Sequence, residues 1–157
     1  MSIRVDMLKL KIPPPFYALL VGGVMWLLHT TYPLFQWIDP PWNKLGFVVI
    51  AIGVSIDVWA AGLFFRAKTT LNPMKPDNSQ QIVESGLYRY TRNPMYLGLL
   101  FSLTGVALWF GSVSALLALP LFVLLITTQQ IIPEEQVLAK KFGQPYLDYK
   151  HRVRRWL

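Results

Sequence analysis

Residues 45–65 read LGFVVIAIGVSIDVWAAGLFF, a stretch with a single ionisable side chain, Asp57. A helix needs about 20 predominantly apolar residues to cross the hydrocarbon core of a bilayer. The stretch has this length, and its apolar residues form a continuous run rather than one periodic stripe. A run of this kind is typical of a helix that is apolar on every side. We therefore predict a membrane-spanning helix over about residues 45–65.

Three further apolar segments lie outside this one, at about residues 16–32, 96–110 and 112–132. The last two meet at Gly111-Ser112, which predicts a tight helical hairpin. Together the segments predict an all-α integral membrane protein with four transmembrane helices, a cytoplasmic loop and C-terminal helices. With 157 residues, the chain has room for one domain, which we place over residues 1–157.

The composition excludes several classes of protein. With 54% hydrophobic and 15% charged residues, the chain has too much apolar surface to remain disordered. It has no cysteine, which excludes disulfides, thiolate nucleophiles and cysteine-ligated metals. The two histidines are isolated in the sequence and no His-x-x-x-His or Glu-x-x-His spacing occurs. We therefore predict no metal site.

The net charge of +7 is distributed unevenly between the two sides of the predicted membrane. Lys44 is alone on one side, and the other lysines and arginines lie in the N-terminal segment, the middle loop and the C-terminal tail. The positive-inside rule then predicts cytoplasmic N and C termini. Contact with lipid headgroups explains most of these charges. We expect membrane lipids as partners and no nucleic acid.

Residues 85–98, SGLYRYTRNPMYLG, are the densest cluster of polar and aromatic side chains, at the entry to the third predicted span. Arg92 and Asn93 provide hydrogen-bond donors, and Tyr88 and Tyr96 provide flat amphipathic surfaces. Two interpretations stay open on the residues alone. Such a cluster anchors a helix at the membrane interface, or it forms a binding site.

Glu134 and Glu135 follow the fourth predicted span, where Pro133 indicates the first turn of a helix that ends at Gly143. Two adjacent carboxylates at this place could bind a cation or a polar ligand. They could also only complement the helix dipole, or one could form an ion pair with Arg92.

Asp57 lies near the middle of the second predicted span. An ionisable group at that depth is costly and is a functional-site hypothesis by default. It could mark a proton-coupled transport path, but we favour a hydrogen bond to a neighbouring helix.

A last predicted helix begins at Pro145. It places Tyr146, Tyr149, Val153 and Trp156 on one face, with basic residues on the other. This amphipathic pattern predicts a helix on the membrane surface.

Five short elements occur in a fixed order: residues 71–73 (LNP), 82–88 (IVESGLY), 92–98 (RNPMYLG), 133–135 (PEE) and 142–149 (FGQPYLDY). Their order around two apolar spans resembles the isoprenylcysteine carboxyl methyltransferase family, which is related to the phospholipid methyltransferases. The resemblance runs from about residue 66 to residue 157 and is to the short bacterial or archaeal type of member.

The resemblance implies an integral-membrane methyltransferase that uses S-adenosylmethionine. The cofactor would be held at the cytoplasmic end of the helices, by about residues 72–98 and 130–150, rather than in a Rossmann fold. The methyl acceptor would be hydrophobic or lipid-like. We expect a monomer, in the inner membrane of a bacterium or archaeon.

The resemblance also implies individual site residues. Glu134 matches the family carboxylate that contacts the cofactor, and Asn93 stands where many members have histidine. Gln130 stands where the eukaryotic enzymes have an arginine implicated in substrate binding, and it is the candidate substrate-binding residue. The full cofactor-binding set carried over by position is Gln80, Gln81, Ile82, Val83, Tyr88, Asn93, Pro94, Met95, Tyr96 and Glu134. No catalytic residue is assigned.

The acceptor stays open among an isoprenylcysteine-type carboxylate, a phospholipid amine and a thiol. Two other functions are alternatives: a small four-span proton-coupled transporter that uses Asp57, and a non-catalytic membrane scaffold. The long middle loop at 66–92 and the tail at 133–157 exceed what a small transporter needs, which favours the enzyme.

Overall fold

The computed structural model describes residues 12–67 and 80–157. Three long helices come first in the chain, α1 (Pro14–Thr31), α2 (Leu45–Arg66) and α3 (Pro94–Phe110). Short 3₁₀ turns at Trp42–Lys44 and Gly86–Arg89 lie before α2 and α3. The described residues form helices and two isolated bridges but no strand, which confirms the all-α prediction for them. The motif at residues 71–73 lies outside the described residues.

After α3 come two short helices, α4 (Val113–Leu116) and α5 (Leu119–Ile126). A π-helical stretch at Thr127–Ile131 then leads directly into α6 (Ile132–Phe142). These elements form a nearly continuous helix of 30 residues, Val113–Phe142. The fourth predicted span and the helix predicted after it are therefore parts of one rod. A separate helix, α7 (Gln144–Arg152), follows the positive-φ residue Gly143.

Two helices in the described part of the chain are long and apolar enough to cross a membrane, Trp42–Arg66 and Val113–Phe142. Pro94–Phe110 is a shorter apolar helix. All four predicted spans are helical, but four crossings stay a prediction. The outer face of α2 carries large exposed apolar side chains, among them Phe47, Ile52 and Trp59. Contiguous exposed apolar surface of this kind indicates contact with lipid.

Helices α2 and α3 pack against each other in antiparallel orientation through glycines. Gly46 and Gly53 are buried on one face of α2, and Gly98 and Gly105 are buried on α3. A Cβ atom at Gly53 would lie 2.5 Å from the carbonyl oxygen of Gly98, and one at Gly105 would lie 2.5 Å from that of Gly46. The two backbones are therefore in direct contact, as small residues allow in membrane helix pairs.

The predicted hairpin is confirmed at Gly111. This residue has φ +69°, a left-handed conformation that ends α3. The backbone N–H of Trp37 donates to the carbonyl oxygen of Gly111 at 2.9 Å, and that of Val113 donates to Phe35 at 2.9 Å. Beyond the turn, α4 and α5 pack back along α1 and α3. The core between them includes the buried side chains of Val21, Met25, Leu103, Phe122 and Ile126.

The C-terminal helix is shorter than predicted, and its apolar face is buried. Tyr146 and Tyr149 are only 4% and 3% exposed, and they pack with Val153 against Ile82 and Phe142. The helix ends at Arg152, so Val153 follows it in extended conformation. The apolar face therefore packs on the protein itself, and the location of the helix on the membrane surface stays a prediction. An amphipathic pattern alone does not distinguish these two partners.

Candidate functional site

The first turn of α3 meets the first turn of α6 through a hydrogen bond between side chains. The hydroxyl of Tyr96 donates to Oε2 of Glu134 at 3.0 Å. Tyr96 is buried and Glu134 is half-buried. Within the described residues, Tyr96 is the one group that donates to Glu134. A carboxylate can accept about four hydrogen bonds, so Glu134 keeps spare acceptor capacity.

Glu135, the next residue, is surrounded by cations. Arg92 Nη2 donates to Oε1 at 2.9 Å, and Arg155 makes a bidentate contact, with Nε to Oε1 and Nη2 to Oε2, both at 2.9 Å. Lys150 Nζ lies 3.2 Å from Oε2. The hydrogen bond to Glu135 raises the pKa of Arg155 above its ordinary value. Glu135 thus has no acceptor capacity left for a ligand.

The C-terminal tail is fixed across the loop that leads into α3. The backbone N–H of Arg92 donates to the carbonyl oxygen of Arg154 at 2.9 Å. The carbonyl oxygen of Arg155 accepts from Asn93 Nδ2 at 2.9 Å and from Thr91 Oγ1 at 3.2 Å. Asn93, predicted as a cofactor contact, therefore uses one of its two amide N–H donors on the tail.

Tyr88 connects this tail to the end of α2. Its carbonyl oxygen accepts a hydrogen bond from the Tyr149 hydroxyl at 2.8 Å. Its ring meets that of Phe64 edge-on, and it packs with Val83 and Met95 in a small apolar cluster. Burial raises the pKa of Tyr88 well above its ordinary value, and the negative charges of Glu134 and Asp57 raise it further.

Most of the predicted cofactor-binding residues fall into two groups. Val83, Tyr88, Met95, Tyr96 and Glu134 lie around the first turn of α3, with Pro94 buried at its start and Ile82 packed beneath α7. Gln80 and Gln81 are exposed, and the amide of Gln81 donates to the carbonyl oxygen of Ala67 at the end of α2. Their cofactor-binding roles stay predictions.

Gln130 lies in the π-helical stretch and is fully buried. Its Nε2 donates to the carbonyl oxygen of Ile12 at 2.7 Å, which fixes the chain just before α1. Its Oε1 is buried with no hydrogen-bond partner in the described part of the chain. One of the two amide N–H donors is thus engaged in the fold, and the substrate-binding role stays a prediction.

Asp57 does not make the interhelical hydrogen bond that we favoured. Its Oδ1 is buried without a hydrogen-bond partner among residues 12–67 and 80–157. The carboxyl group instead rests on Gly98, where a Cβ atom would lie 2.6 Å from Asp57 Cγ. The contact is possible because Gly98 has no side chain.

Sequence reasoning missed the cations that gather on Glu135. It allowed a pair with Arg92 but assigned Lys150 and Arg155 to membrane topology. Lys150 and Arg155 are only partly exposed, at 39% and 34% of their side chains, and both contact Glu135. The sequence did contain one indication of this ion pairing, because an acidic residue, Glu135, is followed by a highly basic C-terminal tail. The charge pattern alone does not specify which cation pairs with Glu135.

Comparison with known proteins identifies the family. The phospholipid methyltransferase family profile matches residues 42–145, well over half of the chain. An uncharacterized protein of Haemophilus influenzae is 48% identical over 63 residues, which are 40% of this chain and all of that protein. Protein-S-isoprenylcysteine O-methyltransferase B of Arabidopsis thaliana is 25% identical over 111 residues, 71% of this chain and 56% of that protein.

No solved structure matches the chain significantly. The family resemblance seen in the ordered motifs is confirmed, because the profile match spans four of the five motifs completely and reaches into the last. The apolar helices α2 and Val113–Phe142 indicate membrane association. The chain therefore belongs to the phospholipid methyltransferase family.

Proposed function

We propose that the protein is an integral-membrane methyltransferase that transfers a methyl group from S-adenosylmethionine to a lipid-like acceptor. The family match and the isoprenylcysteine methyltransferase of Arabidopsis support methyl transfer. The observation that carries the cofactor assignment is the difference between Glu134 and Glu135. One carboxylate is saturated by Arg92, Lys150 and Arg155, and its neighbour accepts from a single donor among residues 12–67 and 80–157.

The residues around the first turn of α3 fit this cofactor chemically. Its ammonium group and ribose hydroxyls are hydrogen-bond donors, and Glu134 has free acceptor positions for them. Its adenine ring has flat aromatic faces, and Val83, Tyr88 and Met95 form an apolar cluster at the first turn of α3, where Tyr96 donates to Glu134. When bound, the cofactor supplies a methyl group on a positively charged sulfur, which leaves as a neutral thioether.

The chain's own residues then act by binding and orientation. Tyr96 holds the Glu134 carboxylate from one side through its 3.0 Å hydrogen bond, which fixes the direction of the remaining lone pairs. The cations on Glu135 fix the tail, and the tail fixes Asn93 and the backbone next to Tyr88. Fixing reacting groups in this way supplies several kcal/mol toward catalysis, about 7–11 in well-oriented cases.

The proposal includes the membrane arrangement. Four helices cross the inner membrane of a bacterium or archaeon, both termini are cytoplasmic, and the chain acts as a monomer. The acceptor would approach from the bilayer and the charged cofactor from the cytoplasm. The support is the placement of Glu134, Glu135 and the basic tail at one end of the apolar helices.

The test is titration of the purified full chain in detergent with S-adenosylhomocysteine, the demethylated product. We expect heat of binding by calorimetry and a higher Tm, because a ligand specific to the native state stabilises it. No heat and no Tm shift at saturating ligand would overturn the methyltransferase function. Proton-linked uptake in reconstituted vesicles together with that result would indicate the transporter instead, and absence of both activities would indicate the scaffold.

A further inference from the structure

The loop between α1 and α2 exposes many large apolar side chains. Residues 32–44 read YPLFQWIDPPWNK, with one acid and one base, and we call them the aromatic loop. The large apolar side chains that it exposes are those of Tyr32, Leu34, Phe35, Trp37 and Trp42. Apolar surface of this extent marks a site of contact with a membrane or another protein.

The aromatic loop is fixed on the end of α3 by hydrogen bonds to the carbonyl oxygens of residues 109–111. The side-chain amides of Asn43 and Gln36 donate to the first two, at 2.9 Å and 3.1 Å, and the backbone N–H of Trp37 donates to the third at 2.9 Å. The last carbonyl groups of a helix have no partner within that helix. In lipid, where water is absent, the protein itself must provide one. The aromatic loop does so for these three groups.

Helix α3 is short for a membrane span. Its 17 residues extend about 26 Å at 1.5 Å per residue, whereas the hydrocarbon core of a bilayer is about 30 Å thick. At least one end of a crossing α3 therefore lies at or below the boundary of the hydrocarbon. The end at the aromatic loop suits that depth because its carbonyl oxygens are paired. The other end follows Arg92, which contacts the charged C-terminal tail.

Exposed aromatic side chains mark the same end of three helices. They are Tyr32 after α1, Trp42 before α2, and Trp109 in the last turn of α3. The ring of His29 in α1 stacks on that of Phe110, and the ring of Phe47 in α2 lies 5.5 Å from that of Trp109. The ends of α1 and α2 therefore meet the end of α3 at one level, where tyrosine and tryptophan are enriched in membrane proteins.

The polar tips of these side chains favour lipid over a protein partner. Within residues 12–67 and 80–157, the Tyr32 hydroxyl and the indole N–H groups of Trp37 and Trp42 have no hydrogen-bond partner. At the membrane interface the ring contacts hydrocarbon while the tip reaches headgroups and water. A protein partner would have to provide a hydrogen-bond acceptor for each indole N–H.

We propose that the aromatic loop is inserted into lipid at the boundary between headgroups and hydrocarbon, on the side of the membrane away from Glu134, and that it anchors α3 there. The anchor holds α3 at a fixed depth whether or not the chain transfers methyl groups. Its partner is the phospholipid surface in general. Asp39 and Lys44 are its two charged side chains and their charges cancel, so we expect no preference for anionic lipid.

The first experiment measures which medium surrounds the loop, and it uses the absence of cysteine in the chain. Leu34→Cys and Leu157→Cys are each labelled with bimane in the full chain, which is placed in phosphatidylcholine nanodiscs. The two leucines are matched, because both are 67% exposed and the second lies in the tail. We expect iodide to quench the label at residue 34 about threefold less than the label at residue 157, since an anion does not enter hydrocarbon. A lipid with a nitroxide at carbon 5 of its acyl chain should quench the label at residue 34 more.

The second experiment removes the aromatic side chains. The double substitution Trp37→Ser and Trp42→Ser is added to the labelled Leu34→Cys protein, and circular dichroism reports that the helices are intact. We expect iodide quenching to rise about twofold, because serine does not anchor at the interface. Trp59→Ser is the control, since Trp59 is also exposed but lies in the middle of α2. It should leave the quenching unchanged.

Three outcomes overturn the proposal. Iodide quenching at residue 34 as strong as at residue 157 would show that the loop lies in water. Weak quenching at residue 34 by both iodide and the nitroxide lipid would show that a second copy of the chain covers the loop. Quenching by iodide that the double substitution does not change would show that the tryptophans are not the anchor. None of these readouts involves S-adenosylhomocysteine, so a failed cofactor titration would overturn the proposed function and leave the anchor standing.

Discussion

Two interfaces in this molecule depend on different interactions, close backbone contact in one and ion pairs in the other. The contact between α2 and α3 depends on glycines that bring the backbones together, with carbonyl oxygens about 2.5 Å from where a side chain would begin. The contact between α6 and the C-terminal tail depends on charge, with three cations on one carboxylate, Glu135.

The difference follows from the surroundings of each interface. Helices in hydrocarbon gain little from burying apolar side chains, because lipid tails are equally apolar, so close van der Waals contact between small residues is favoured. The tail lies beyond the apolar helices, where Lys150 and Arg155 remain partly exposed to water. Partial exposure lowers the desolvation cost of ion pairs. The first interface is therefore sensitive to volume and the second to charge.

The largest effect is expected from added volume at Gly53. A leucine there would force α2 away from Gly98 and Ser102, whose atoms lie within 2.8 Å of the new Cβ. We expect a loss of more than about 3 kcal/mol of stability, or no folded protein. The measurement is Tm in detergent, with Gly62→Leu as control, since nothing lies within 4 Å of a Cβ at Gly62. Equal Tm values for the two variants would contradict direct backbone contact.

A charge change should matter most at Glu135. Glu135→Gln leaves the Arg92 guanidinium, whose side chain is 8% exposed, without its anionic partner. We expect a loss of about 3 kcal/mol, because removing one member of a buried pair leaves an uncompensated charge. Chemical denaturation and hydrogen exchange of the tail would report it. A tail as protected as in the unmodified protein would refute the structural role of this carboxylate.

A substitution at Glu134, next to Glu135, should affect cofactor affinity more than stability. Glu134→Gln should weaken S-adenosylhomocysteine binding tenfold to a hundredfold, because charge-assisted hydrogen bonds contribute about 1.5–3 kcal/mol. Stability should change less than in Glu135→Gln, since Tyr96 can still donate to the amide oxygen. Titrations of both variants under the same detergent conditions decide this. A larger affinity loss in Glu135→Gln would show that the cofactor-facing acid is wrongly assigned.

The smallest effect is expected at the edge of the charged interface. Arg152 pairs with Glu84 at 2.7 Å, but their side chains are 64% and 38% exposed. Exposed pairs contribute about 0–1 kcal/mol, so Arg152→Ala should shift Tm only slightly. The same measurement in high salt should show almost no difference between Arg152→Ala and the unmodified protein. A loss comparable to that of Glu135→Gln would mean that the whole tail depends on long-range charge.

Much of the fold could be predicted from local sequence. The apolar runs gave the helices α1 to α3, and Gly111 marked the hairpin, because both depend on residues close together in the chain. Helical spacing also predicts that the two acids at 134–135 point in different directions, since neighbours on a helix are about 100° apart. The structure gives them different partners, Tyr96 for one and three cations for the other.

The remaining features depend on contacts between distant parts of the chain. Tyr146 and Tyr149 form an apolar face in sequence, but only the folded chain brings Ile82 to cover it. Lys150 and Arg155 were interpreted as membrane anchors, because the sequence does not show whether a basic side chain pairs with a lipid headgroup or with a carboxylate of the protein. Asp57 looked like a donor or acceptor between helices, and it instead rests on Gly98 without a hydrogen bond among the described residues.

The sequence by itself determined that this is a helical chain with membrane-capable segments and a methyltransferase family pattern. Those properties follow from the length of the apolar runs, the turn residues and the order of the motifs, all of which can be read from residues that are close together in the chain. Only the tertiary structure decided, for the part of the chain that it describes, which carboxylate is saturated by cations, which accepts from one tyrosine, and which rests against α3 without a partner. Hydrogen bonds and ion pairs are short-range, so their partners are fixed by the packing of helices and not by the order of residues along the chain.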